Sequence, residues 1–514
     1  MIRLLPNAIF RLPGALLLLG AVACAPLGPD FVEPDVGWLS QWQPTLYRQV
    51  VQDPHGDDIS KWWRRFHDPV LNTLVEQARL ENPELRIAGL SILESRAVLG
   101  IAIGQQYPQL QQINAEGAYV SERTSGGIND GDREFRTAEV AFDVAWEMDF
   151  WGRFRRGVES ADAAYLASVT NQRDVQVLLA AQVASLYYGY KTTLRRIEIA
   201  HENVALQERS LEITRQLFQS GQESELDLQQ ARTQYLATLA TIPSLRLGLT
   251  RQRNALCALL RRAPGDLPEL DPADGQLPEP GHVALVGELP VNLLLLRPDV
   301  RTAAWQAAAQ SAQVGVAQAD LYPAISLFGT VSWQGNSLDA VGDVTTFAAG
   351  PALSWDIFNY GRLRNNVRAQ DARLQQALEN FQSKVLNAAR EVDDAAKRMA
   401  ETEASQKILD ESLVAAERSL VIANRRYREG YSSFQRVLDA QAAAFAQSDL
   451  TALNRGEHLA AVIDLYRALG GGWRPATLDD VAPPWLREEM RERTNWGDLL
   501  DESVAVPPGH GVVP

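Results

Sequence analysis

The stretch Val140-Ala141-Phe142-Asp143-Val144-Ala145-Trp146-Glu147-Met148-Asp149-Phe150 alternates apolar side chains with small or acidic ones. Period two predicts a strand, and about 9–11 residues is what a tilted strand needs to cross a bilayer. Residues 113–122 show the same alternation more weakly through Ile113, Ala115, Gly117 and Tyr119. Further on, Ile325, Leu327, Val331 and Trp333 alternate with Ser326, Thr330, Ser332 and Gln334. Phe347, Leu353, Trp355 and Ile357 face away from Ser354 and Asp356. One such hairpin alone would fit a half-buried sheet in a soluble domain. Two features favour lipid. Aromatic residues cluster near the strand ends (Tyr119, Trp146, Trp151, Trp333, Trp355, Tyr360), as membrane-interface girdles do, and the expected hairpin tips, about 123–133 and 335–346, are rich in Gly, Asn and Asp.

Four strands cannot close a barrel, and an open sheet edge cannot persist in hydrocarbon. Several copies must then share one barrel; three copies supply twelve strands, which predicts a homotrimer.

The strand pairs belong to a duplication. Tyr107-Pro108 returns as Tyr322-Pro323; Gly152-Arg153 returns as Gly361-Arg362, and Gly221 as Gly430. Each unit reads helix, strand pair, a very long helix ending at the glycine, then another long helix, and such internal repetition sets the architecture. The first repeat covers 68–262, with strands about 110–151 and long helices 153–220 and 223–262. The second covers 291–473, with a helix about 298–321, strands about 322–360 and long helices 362–429 and 432–468.

No proline falls between Pro108 and Pro243 or between Pro351 and Pro475, so 153–220 and 362–429 can each run unbroken for roughly 100 Å at 1.5 Å per residue. Val183, Tyr190, Ile197, Val204, Leu211 and Phe218 recur every seven residues; so do Val367, Leu374 and Phe381, then Val385, Val392 and Met399, then Leu413, Leu420 and Tyr427. Heptads sustained this long specify side-to-side, coiled-coil-like packing. Alanines such as Ala388, Ala389, Ala395 and Ala396 permit close approach, and the remaining faces are polar. That pattern suits the wall of a wet cylinder better than a solid bundle, which would want a wider apolar stripe. Gly221 and Gly430 are helix stops, so the tips of two helical hairpins are expected to lie together. Pro243 is expected to bend the first return helix.

Residues 1–23 read as a signal peptide: Arg3 and Arg11 precede the apolar run Leu12–Ala23, which is too short to span a bilayer. Its end, Ala23-Cys24, suggests a lipoprotein signal with Cys24 as the lipid attachment site, and Ala25 favours the outer membrane. Ordinary cleavage nearby is the plainer alternative. Cys257 would then be the one remaining thiol, in the apolar run Ala255–Leu260, and no intramolecular disulfide could form. No other stretch reads as about 20 consecutive apolar residues. The net charge of −15 argues against a nucleic-acid partner.

These segments resemble the outer-membrane factor family, the TolC-like and OprM-like (NodT-type) exit ducts of drug efflux pumps. The resemblance is carried by Gly28-Pro29-Asp30-Phe31, Trp62-Trp63 with Phe66 and Asp68-Pro69, Arg297-Pro298-Asp299, Ser354-Trp355-Asp356-Ile357-Phe358, Tyr427-Arg428-Glu429-Gly430, Val437-Leu438-Asp439-Ala440-Gln441 and Leu465-Tyr466-Arg467-Ala468-Leu469-Gly470-Gly471-Gly472-Trp473. It implies a mixed α and β membrane protein: four transmembrane β-strands per chain in a shared 12-stranded trimeric barrel, continuing into a periplasmic α-helical barrel with an equatorial belt. The Pro-rich linker 263–290, residues 24–67 and the chain end are expected to form that belt. The family also implies a lipid-anchored position in the outer membrane of a Gram-negative bacterium, a periplasmic adaptor and an inner-membrane pump of the resistance-nodulation-division class as partners, and no cofactor. Its gate position falls on Asp439, beside Gln435, Arg436 and Tyr427; adaptor docking falls on the tips at Gly221, Asp227, Arg428 and Gly430. Related sequences often carry an acidic or polar residue where Arg436 stands, and Arg436 is three residues from Asp439, close enough to pair with it. Glu223, Glu225 and Asp227 offer partners for Arg428 or Arg436. The tail 474–514 lies beyond the resemblance; it is acidic and proline-containing, with a short helix expected near 484–493 and mobility elsewhere.

Rival functions fit less well. The six histidines (His55, His67, His201, His282, His458, His510) show no metal-ligand spacing, and the sequence holds no nucleophile elbow or phosphate loop, so no enzyme is expected. A porin would devote most of its length to strands, and a periplasm-spanning scaffold would not need lipid-facing alternation.

Overall fold

The computed structural model describes residues 26–38, 59–124, 131–271, 274–278, 293–335 and 344–504. The expected signal peptide, Cys24, the centres of both strand hairpins and the last ten residues lie outside the described residues. In chain order the elements are α1 (Pro69–Glu81), α2 (Pro83–Gly104), β1 (Leu110–Thr124), β2 (Gly131–Glu147), α3 (Arg153–Gln219), α4 (Glu225–Leu259), α5 (Pro298–Ala319), β3 (Ala324–Gly335), β4 (Val344–Ser354), α6 (Arg362–Arg428), α7 (Phe434–Ala468), α8 (Leu478–Val481) and α9 (Pro484–Arg493). The chain divides into two compact units: Met1–Asp35 with Ile92–Ser168 and Thr302–Gln382, and Val36–Ser91 with Val169–Arg301 and Ser383–Pro514.

The first unit holds a four-stranded antiparallel sheet in the order β1-β2-β3-β4. Directly paired residues share a face, so the register can be read across all four strands. Ile113, Phe142, Val331 and Phe347 form one row, and Ala115, Val140, Trp333 and Thr345 the next. On the other face Gln112, Asp143, Thr330 and Ala348 align, beside the row Asn114, Ala141, Ser332 and Thr346. Asn114 donates to Asp143 across that face at 2.7 Å. Four strands of independent alternation are thus in phase. Ile113 and Phe347 are each 74% exposed, so this apolar face has no cover among the described residues.

The strands stop earlier than their alternation suggests: β2 ends at Glu147, not Phe150, and β4 at Ser354, short of Trp355 and Ile357. After β2 the chain is drawn off the sheet because the Asp149 carboxylate accepts the first free amides of α3, from Phe154 at 3.1 Å and Arg155 at 2.9 Å. Gly152 and Gly361 turn into the long helices with φ of +78° and +82°. Trp151 stacks on Tyr322 at 4.7 Å and donates its indole N–H to the Pro323 carbonyl at 2.8 Å, tying the bases of the two strand pairs together.

The helices α3 and α6 are 67 residues each. Their heptad residues bury most deeply in mid-helix: Val183, Phe381, Val385 and Val392 are fully buried, whereas Phe218 and Tyr427 near the far ends are partly exposed. Helix α4 continues through Pro243. In the second unit Trp62 lies flat on Tyr466 at 5.3 Å, and the amide of Gly472 donates to the Ile59 carbonyl at 3.0 Å. A Cβ at Gly471 would sit 3.0 Å from that same carbonyl oxygen, which explains the glycine run after α7.

One expectation, that of a mobile tail, needs correction. Helix α2 is 22 residues long and apolar enough by length and composition to span a membrane, but Glu84, Arg86, Glu94 and Arg96 interrupt it, so it is not a run of about 20 consecutive apolar residues. Leu85, Ala88, Ile92 and Leu93 on it are buried within the protein. The tail is ordered well beyond its expected helix. Thr477 and Asp480 form a reciprocal capping box at α8, Val481, Ala482 and Leu500 are fully buried, and Trp485 lies under the Arg86 guanidinium. Gly89 makes room for this packing, since a Cβ there would stand 3.0 Å from the Val481 Cα.

Candidate functional site at the helical tips

Both long hairpins turn over in the same way. The Gly221 amide donates to the Phe218 carbonyl at 2.9 Å and Gln222 to Leu217 at 2.8 Å; in the second repeat Gly430 donates to Tyr427 at 2.9 Å and Tyr431 to Arg426 at 2.8 Å. This double closure requires a left-handed residue at the helix end, and the glycines supply φ of +75° and +78°.

The return helices start differently. Ser224 caps α4, accepting from the Asp227 amide at 3.2 Å while its hydroxyl donates to the Asp227 carboxylate. Ser433 occupies the equivalent place before α7 but makes no side-chain capping bond. The third residue of that helix is Arg436, where the first repeat has Asp227. A missing cap costs about 1 kcal/mol, and a cation in the first turn opposes the helix dipole by a further ~0.3–1 kcal/mol.

Tertiary contacts compensate. Phe434, Val437 and Leu438 are buried with Leu211 and Ala231 from the first hairpin, flanked by Leu228, Tyr235, Ala423 and Tyr427. The Tyr427 ring packs 5.3 Å from Phe434, and its hydroxyl donates to Glu223 Oε1 at 2.8 Å. Burial, followed by this bond to a carboxylate, pushes the Tyr427 hydroxyl well above the usual phenol range. Gln441 Nε2 donates to Ser210 Oγ at 2.8 Å, a second polar link between the hairpins. The two tips therefore lie together, as their glycines suggest.

Asp439 is exposed and accepts from Gln435 Nε2, four residues earlier, at 2.8 Å. Arg436 is also exposed, and no ion pair joins it to Asp439 among the described residues. The i,i+4 neighbour stacks directly over the carboxylate, and the longer arginine stays in water. Nor does an ion pair join Arg428 or Arg436 to Glu223, Glu225 or Asp227 among the described residues: Glu223 holds Tyr427, and Asp227 bonds Ser224 at its own cap. Arg428 is exposed at the turn. Sequence reasoning missed Phe434 and Gln441 as tip-joining residues; the apolar positions Phe434, Val437 and Leu438 on one helical stripe were the available signal. What the arrangement offers chemically is a hydrated carboxylate one turn from a buried cluster. It repels its own copies when brought close.

The profile described as "Outer membrane efflux protein" matches residues 74–260 and 289–471. The "Cation efflux system protein CusC" of Escherichia coli is 30% identical over 459 residues, covering 87% of this chain and 96% of the relative. The "Toluene efflux pump outer membrane protein TtgI" of Pseudomonas putida is 30% identical over 474 residues, covering 89% and 97%. Among solved structures, the outer-membrane channel OprN superposes with a TM-score of 0.80 at 30% identity, over 87% of this chain and 100% of that one.

Proposed function

The chain belongs to the outer membrane efflux protein family, and on that premise we propose that it is the outer-membrane exit channel of a tripartite efflux system. Three copies share one 12-stranded barrel, which continues into a helical duct across the periplasm of a Gram-negative cell. The duct conducts small molecules passively from a periplasmic adaptor and an inner-membrane pump of the resistance-nodulation-division class. Drugs are the cargo we propose. The names of the relatives range from cations to toluene, and a polar lumen does not choose among them. The chain is anchored to outer-membrane lipid through Cys24.

The observation that carries this reading is the sheet. Four strands place one continuous apolar face in phase, while β1 and β4 each keep an edge that is unpaired among the described residues. Such edges persist in lipid only when another copy pairs with them.

Closure is set at the tips. Asp439 of each copy, held in place by Gln435, narrows the duct, and crowded carboxylates there repel one another and favour cations. Adaptor engagement around Gly221, Asp227, Arg428 and Gly430 separates the hairpins by breaking the contacts of Tyr427. Single-channel conductance in planar bilayers tests this. The unmodified protein should give small, cation-preferring events and Asp439→Ala larger ones with weaker cation preference. Equal conductance in both would move the constriction away from Asp439, and no conductance from a trimeric preparation of either would overturn the channel.

A further inference from the structure

Three helices of the second unit leave a cavity of about 260 Å³ between them. It runs along α3 from Ser185 to Arg196 and along α7 from Leu453 to Ile463, with Gln252 of α4 on a third side. The exposed side chains Ser185, Leu453 and Glu457 mark its mouth, whereas Tyr188 is 1% exposed and Ile463 is fully buried. The helices cannot close this space by moving together. A Cβ on Gly456 of α7 would stand 2.5 Å from Thr192 Oγ1 of α3, and one on Gly189 would stand 3.1 Å from Gln252 Nε2. Contact at two of its lining residues makes the void a built feature. At ~30 Å³ per water it is far larger than the voids a packed interior usually keeps.

The hydrogen-bonding groups around it are one-sided. Thr192 Oγ1 donates to the Tyr188 carbonyl at 2.7 Å and Thr193 Oγ1 to the Gly189 carbonyl at 2.9 Å, so both hydroxyls keep acceptor capacity alone. The Arg196 guanidinium is committed to both oxygens of Asp449, at 2.7 and 3.0 Å. Gln252 Oε1 and the Tyr188 hydroxyl are buried, and neither has a hydrogen-bond partner among the described residues. Burial, followed by the nearby Asp68 charge, holds that phenol well above its usual range, so it stays neutral. Leaving such buried groups unpaired is costly. Glu457 carries a negative charge and has no ion pair among the described residues.

Such a lining asks for a ligand that donates hydrogen bonds and carries positive charge. We propose that the cavity binds a small primary ammonium ion with a short apolar body. Its three N–H donors go to Gln252 Oε1, the Glu457 carboxylate and the Tyr188 oxygen, and its carbon body lies along Leu453, Ala460 and Ile463. An occupant so placed ties α3 to α4 and α7, and stabilises them by mass action. Water would satisfy Tyr188 and Gln252 but finds few partners against the apolar wall. An anion would meet the Glu457 charge. The site needs no contact with the helical tips and does not depend on the chain being a channel.

The test titrates the purified full-length protein with phenethylamine and, as a neutral isostere, phenethyl alcohol, both followed by calorimetry. The amine should bind saturably at one site per chain. The alcohol should bind at least about tenfold more weakly, because it gives up the charge-assisted bonds. Glu457→Gln, on an exposed side chain, should weaken the amine about tenfold and leave the alcohol unchanged. Ala460→Leu should fill the space and abolish binding of both. An unchanged Tm without ligand shows that each variant folds, and if Ala460→Leu does not fold, Glu457→Gln alone decides. No saturable amine binding by the wild type would overturn the inference and leave the cavity to water. Amine binding that survives the substitutions would overturn it too, by placing the amine elsewhere on an acidic protein. Equal affinity for amine and alcohol would do the same, since the cavity would then select only for apolar bulk.

Discussion

Tyr427→Phe removes a single hydroxyl at the meeting point of the two tips. That hydroxyl donates to Glu223 Oε1 at 2.8 Å, while the ring stays against Phe434. A hydrogen bond to a charged group contributes about 1.5–3 kcal/mol. Both residues are half-buried, so water recovers part of this and about 1–2 kcal/mol remains. At 1.4 kcal/mol per factor of ten, the open-to-closed ratio of the tips should rise about 5- to 30-fold per chain. Because the Phe434 contact survives, the tip should loosen without unfolding. Open probability in planar bilayers reads the ratio, and hydrogen exchange at Leu211 and Phe434 reads the integrity of the cluster. Glu223→Gln keeps an acceptor but removes its charge and should produce a smaller rise. The double variant should match Tyr427→Phe alone, so that the coupling energy equals the smaller effect of Glu223→Gln. If Tyr427→Phe stays within twofold of wild type in a preparation where Asp439→Ala opens the channel, the hydroxyl bond is not part of the closure.

Two further outcomes follow from burial. Leu438→Ala empties a position that is 4% exposed between the hairpins; it should cost about 2–4 kcal/mol and appear as faster hydrogen exchange confined to the tips. Asp174 is pushed up to about 6, first by burial and then by the neighbouring Asp299, with Arg297 and Lys384 opposing. A folded-state value above the unfolded one means that stability is fully present at low pH and falls as pH rises from about 4 through 6. The loss should reach about 3 kcal/mol at neutral pH. Asp174→Asn should therefore raise the Tm at pH 7.5 and change it little at pH 4.

The elements most legible in the sequence are those fixed by the backbone. Alternation from Val140 to Glu147 depends on nothing outside the strand, and proline-free heptads need only their own period to give two helices of 67 residues. Legibility fails where a distant segment decides. Nothing in the sequence around Arg156 shows that its guanidinium will bond Leu27, Gly28 and Asp30, more than 120 residues earlier. The tail reads as mobile because its acids and prolines dominate the composition, yet Val481, Ala482 and Leu500 have a buried site waiting where Gly89 carries no side chain. Gln435 and Arg436 are both within reach of Asp439 on a helix. Choosing between them requires the side-chain geometry.

The duplication adds a physical argument about which tip yields first. Both repeats keep the features the turn cannot do without: the left-handed glycines, the paired carbonyl closures and the serine before the return helix. They part at the third residue of that helix, where Asp227 completes a cap and Arg436 cannot. The first tip is thus stable through its own local bonds, and would remain helical if its neighbour withdrew. The second tip lacks its cap and carries an unfavourable charge, so its order depends on Phe434, Val437 and Leu438 staying buried and on Tyr427 holding Glu223. An element stabilised chiefly by contacts with its neighbour is released when those contacts break, and it carries Asp439 with it. If the tips part as proposed, this local divergence within a shared turn would make the first hairpin the fixed wall and the second the moving one.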